Sequence, residues 1–139
     1  GVISDRLGRF GTMDAAATCR LPVIVGLVVA GLATISAVYV ENLSAAIALM
    51  SLGLFAANVA SSCGWALAAV IAPVNSVATL EAIQNVGGSI GGALAPYLSG
   101  ALLQHTNSFV PAFALAGTIA FICALIYWVG TRNKISEAD

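Results

Sequence analysis

Trp65 and Asn85 are the two residues of this chain best suited to hold a polar solute, and both lie inside apolar segments. An indole offers a flat wall and one N–H donor, and a carboxamide offers a donor and an acceptor. Trp65 stands eight residues before Pro73, and Asn85 ten after Asn75. At a helical rise of ~1.5 Å per residue, both side chains lie roughly 12–15 Å from the turn between their segments. Asn58, Ser61, Ser62 and Trp65 follow the spacing i, i+3, i+4, i+7, one face of a helix. Glu81, Gln84 and Asn85 share a face of the next segment in the same way. Polar groups ordered on one face of an apolar helix want a water-filled cavity or a neighbouring helix. A plainer reading stays open beside this one. Asn85 can bond across a helix interface, Trp65 can pack or anchor at the membrane surface, and the serines can bond back to the carbonyl four residues earlier.

Other chemistry has no support in the residues. His105 is the only histidine and falls in a predicted outside loop with no second ligand nearby. Cys19, Cys63 and Cys123 are odd in number, show no metal spacing, and read as reduced packing residues. The Gly87–Gly92 stretch has no strand before it and is not a phosphate cradle. No nucleophile–base pair, metal cluster or cofactor loop is visible, so the expectation is no enzyme, no cofactor and no metal. No basic run is present to bind nucleic acid.

Composition decides the class. The 139 residues are 60% hydrophobic and 8% charged, with a mean hydropathy of +0.99. Soluble domains carry about 25% charged residues, so the bilayer is the expected solvent. Runs long enough for its ~30 Å core recur four times. The predicted fold is all-α: a polytopic bundle of four transmembrane helices at about 19–40, 43–72, 76–103 and 109–130. A polar loop, 1–17, precedes them and a polar tail, 132–139, follows. Pro22 is expected in the first turn of the first span, where its missing N–H matters little. Pro73, Asn75 and Ser76 read as a turn and a new helix cap. Residues 105–108 read as a short loop. The sequon Asn42-Leu43-Ser44 touches a span start and reads as chance. The second span is longer than a perpendicular crossing needs, so tilt or overhang is expected.

The five basic residues, Arg6, Arg9, Arg20, Arg132 and Lys134, all flank the outermost ends of the four spans. The positive-inside rule therefore places both termini in the cytoplasm. The two middle spans carry ordered polar faces, while the two outer ones are apolar and suit lipid contact and support. A glycine stretch marks the third span: Gly87 and Gly91, and Gly88 and Gly92, stand four apart, with Pro96 and Gly100 beyond them. That spacing strips one face of side chains and lets another backbone approach, and the proline supplies a bend.

The loop Gly1-x-x-x-Asp5-Arg6-x-Gly8-Arg9 resembles the cytoplasmic signature G-x-x-x-D-R-x-G-R-R of the major facilitator superfamily, with Phe10 at the last basic position. The resemblance implies that the four helices are spans nine to twelve of a twelve-helix transporter and that a preceding N-terminal half completes it. It implies that Asp5, Arg6 and Arg9 brace helices at the cytoplasmic surface. Trp65-Ala66-Leu67 before Ala72-Pro73, then Gln84-Asn85-Val86-Gly87-Gly88 and Pro96, is similar to the anion:cation symporter group. That group implies alternating-access transport of small organic anions such as sugar acids, commonly with protons, across the plasma (inner) membrane. It implies that Trp65 and Asn85 contact solute, with Ser62 on the same wall and Asn58 and Gln84 extending it. The competing expectations are an exporter of hydrophobic compounds and a structural four-helix assembly module whose glycine face only mediates association.

Overall fold

The computed structural model describes residues 15–73 and 75–131. The loop motif of Gly1, Asp5, Arg6, Gly8 and Arg9 and the tail 132–139 lie outside the described residues. Four helices are present, and no strand among the described residues: α1 (Ala15–Val38), α2 (Leu43–Ile71), α3 (Val77–Thr106) and α4 (Val110–Gly130). Each is long and apolar enough to cross a membrane. At ~1.5 Å per residue the 29 residues of α2 extend about 44 Å, so this helix must tilt or overhang a hydrocarbon core of ~30 Å.

The helix ends follow local chemistry. The Asn42 Oδ1 accepts the backbone N–H of Ser44 at 2.9 Å and of Ala45 at 3.4 Å, and so caps α2. Two donors that a helix start leaves unpaired are thereby satisfied, which gives Asn42 a structural reason to be there. Asn42→Ala in the purified full-length protein is expected to cost about 1 kcal/mol, seen as a lower thermal midpoint. An unchanged midpoint would dismiss the cap.

Two boundaries differ from expectation. Ala15, Ala16 and Ala17 carry α1 back toward the N-terminus, as the best helix-forming residue does, so Pro22 lies in the helix interior rather than in its first turn. At the far end of α3, Asn107 adopts the left-handed conformation (φ 50°) and its N–H bonds the Leu103 carbonyl at 2.8 Å. Such a residue ends a helix, so His105 and Thr106 belong to the last turn of α3 and not to a loop. Ser76 takes the N-cap position of α3, though its side chain makes no capping bond.

Small residues, more than polarity, decide the packing. Lipid tails are as apolar as leucine, so membrane helices associate where their backbones can come close. On α1 the buried set includes Gly26, Ala30, Ala33 and Ala37, and on α2 it includes Gly53, Ala56, Ala60 and Gly64. A Cβ added at Gly26 would lie 2.8 Å from the Ala56 carbonyl oxygen. On the other side of α1, a Cβ at Gly31 would lie 3.1 Å from the Gly117 carbonyl oxygen of α4. The first helix, expected among the outer supports, is therefore the one against which α2 and α4 both pack. In α3 no residue is buried, and its contacts with α2 and α4 are sparse.

Candidate functional site

The face of α2 that packs on α1 fixes where its polar residues go. At about 100° per residue, Asn58, Ser61, Ser62 and Trp65 fall away from the stripe of Gly53, Ala56, Ala60 and Gly64. All four are exposed, Trp65 at 37%. The Asn58 Nδ2 donates to the Leu54 carbonyl at 2.8 Å, and the Ser62 Oγ donates to the Asn58 carbonyl at 2.9 Å. These bonds stay within the helix, as short polar side chains do in a span. They use the Asn58 Nδ2 and the Ser62 Oγ, so the Asn58 amide oxygen is left for other partners.

On α3, Asn85 is exposed, and Glu81 and Gln84 are half-buried. Trp65 stands six residues from the end of α2 and Asn85 eight from the start of α3. At ~1.5 Å per residue those are depths of about 9 and 12 Å from the connecting turn. Both residues sit on faces that the described helices leave open.

Gln84 points elsewhere. It lines a cavity of about 240 Å³ between α2, α3 and α4, together with Gly64 and Leu67, Leu80, Tyr127 and Thr131. There its Nε2 donates to the Tyr127 hydroxyl at 3.5 Å. The cavity brings Gln84 to Tyr127 and Gly64, and it is not lined by Trp65, Asn58, Ser62 or Asn85. Tyr127 was not visible as a site residue, since one tyrosine in an apolar span reads as packing. Its signal is burial: Tyr39 and Tyr97 are 74% and 73% exposed, while Tyr127 is half-buried.

A second hollow, about 400 Å³, lies between α1 and α2 along Leu21, Val25, Gly26, Leu52, Phe55 and Val59. Its walls carry no polar side chain to orient a solute. Around Gly87, Gly88, Gly91 and Gly92, no atom would lie within 4 Å of an added Cβ beyond their own helical surroundings. Pro96, within the continuous α3, is exposed as well. Among the described residues no three histidine, cysteine or acidic side chains are grouped as a metal ion would need.

The sequence is 30% identical over 119 residues, 85% of the chain, to a protein of Bacillus subtilis (strain 168) named as the uncharacterized transporter YybO. It is 25% identical over 137 residues, 99% of the chain, to the probable L-galactonate transporter of Escherichia coli (strain K12). The matches span 27% and 30% of the lengths of those two proteins. No protein-family model and no solved structure matches the chain. Four apolar membrane-crossing helices and this similarity together make it an all-helical integral membrane chain that resembles a part of bacterial transporters.

Proposed function

We propose that the chain is part of a secondary transporter that carries small organic anions such as sugar acids, coupled to protons, by alternating access. The observation that carries this reading is the similarity to two proteins named as transporters, one of them for L-galactonate, a sugar acid. Trp65 and Asn85 contact the solute, with Ser62 and Asn58 extending the wall, while Gln84, turned toward Tyr127, stands apart from it. Their support is position: all four stand on open helix faces, and the indole and carboxamide lie at similar depth. Sugar acids present hydroxyls and small C–H patches along their carbon chain, which a carboxamide and an indole match. Gly87, Gly88, Gly91, Gly92 and Pro96 form the part of α3 that meets the other half of the transporter as the halves rock about a midplane site. Asp5, Arg6 and Arg9, in the loop motif that Gly1 and Gly8 complete, brace helices at the cytoplasmic surface of the inner membrane, where both termini lie.

The test is uptake of labelled L-galactonate by the full-length protein in liposomes, with and without an inward proton gradient. Asn85→Ala and Trp65→Ala are each expected to lower kcat/KM about ten-fold or more, the effect of leaving a solute hydroxyl without its partner, while membrane insertion is kept. Unchanged uptake in both variants would remove the site assignment. Uptake indifferent to the gradient would remove the coupling.

A further inference from the structure

The attachment of α3 is concentrated near its start. Leu80, Ile83 and Gln84 face the cavity shared with the last turns of α2 and α4, while from Val86 to Leu98 every residue is exposed. Among the described residues, a side-chain hydrogen bond ties α3 to α4, from the Gln84 Nε2 to the Tyr127 hydroxyl. Its 3.5 Å is longer than the ~2.7–3.2 Å of an ordinary N–H···O bond, so it holds weakly. Space lies beside it: the cavity of about 240 Å³ lets the two groups part without a clash. Gly64 sets the width of that space, because a Cβ there would lie 3.4 Å from both the Gln84 Nε2 and the Tyr127 hydroxyl. Alanine fits at 64 in ordinary contact; a branched side chain does not.

We propose that Gln84 and Tyr127 form a releasable latch at the end of the bundle where α2 passes into α3. Closed, it holds α3 against α2 and α4 and fixes the orientation of the neighbouring residue, Asn85. Open, it frees the start of α3 to shift against α2 and α4 beside the turn that the Ser76 N–H closes on the Pro73 carbonyl. Tyr127 is thus a positioning residue, acting on Asn85 through the Gln84 carboxamide. Its consequence for transport rests on the transporter reading; the latch itself does not.

The experiment uses the full-length protein in liposomes, with Cys19→Ala, Cys63→Ala and Cys123→Ala as background. Spin labels at Ile90→Cys on α3 and Ile122→Cys on α4, both exposed positions, report the distance between the helices. Tyr127→Phe removes the hydroxyl and keeps the ring. It is expected to raise the population of the longer-distance state about three-fold, the size of one interhelical hydrogen bond in a bilayer. Gln84→Leu should do the same, and the double variant should do no more than either single one, because both remove one bond. Gly64→Val should also lengthen the distance and Gly64→Ala should not. A second label pair at Val25→Cys and Leu54→Cys reports α1 against α2 and should stay unchanged. Identical α3–α4 distances in wild type, Tyr127→Phe and Gln84→Leu would overturn the latch. So would equal broadening at the α1–α2 pair, which marks general loosening. A wild type that takes up no L-galactonate counts against the transporter reading alone, since the distances need no solute.

Discussion

Gly26→Ala is expected to destabilise the protein by about 1–3 kcal/mol, the usual penalty for forcing extra volume into a packed seam. Gly26→Leu should prevent α1 and α2 from pairing. The reason is what a Cβ at this position would meet: the Ala56 carbonyl oxygen at 2.8 Å and the Ala60 Cβ at 3.0 Å. Neither can turn aside, since one is backbone and the other is fixed to it. Relief requires the helices to separate, and separation also opens the neighbouring approaches at Ala30 and Ala33. In a bilayer the added methyl gains nothing from leaving water, so no transfer term offsets the clash. Gly53, on the same seam, gives the opposite expectation. A Cβ there would meet the Thr34 Oγ1 at 3.4 Å and the Ala33 Cβ at 3.5 Å, ordinary contact. Gly53→Ala should be neutral or stabilising, because alanine gains up to about 1 kcal/mol over glycine in a helix. Thermal unfolding of the full-length protein in lipid nanodiscs separates the two. Equal shifts for Gly26→Ala and Gly53→Ala would mean that the seam is not built this way.

That contrast also explains which features could be read from the sequence. Four spans were legible because hydropathy and length together leave a twenty-residue apolar run little choice but a membrane helix. The polar face at Asn58, Ser62 and Trp65 was legible because helical periodicity alone places those residues together. Partners were not. Gly26 and Gly88 are both glycines inside apolar helices, yet one touches a facing backbone and the other has no neighbour within 4 Å. Telling them apart needs the opposing surface, which no local pattern records. The same holds for Gln84 and Tyr127, which lie 43 residues apart and meet only through the placement of α3 on α4. At Asn42 the sequon read as chance, but the helix cap went unforeseen, because only the 2.9 Å bond from the Ser44 N–H shows what the side chain does.

On the proposed function, Gly88→Leu with Gly92→Leu is expected to leave this four-helix unit folded and to reduce solute uptake by the full-length protein more than ten-fold. Within the described chain the two positions have open space around them, and α3 buries no residue, so leucine meets no wall here. Leucine is also the better helix former, which favours α3 itself. If loss of function follows, it must come from a surface beyond these four helices. The proposed arrangement supplies one: the glycine face lies against the other half of the transporter, close enough that side chains would hold the two backbones apart. Close approach is what a small-residue face permits and what leucine denies, so rocking would stall with the solute path held on one side. Alanine at both positions should be intermediate, with uptake falling less than for leucine. The decisive comparison is with Gly26→Ala. That variant should lose thermal stability and uptake together, whereas the Gly88/Gly92 leucine pair should lose uptake while its α1–α2 distance is retained. Full uptake in the leucine pair would mean that this face meets only lipid, and the glycines would then need no partner to explain them.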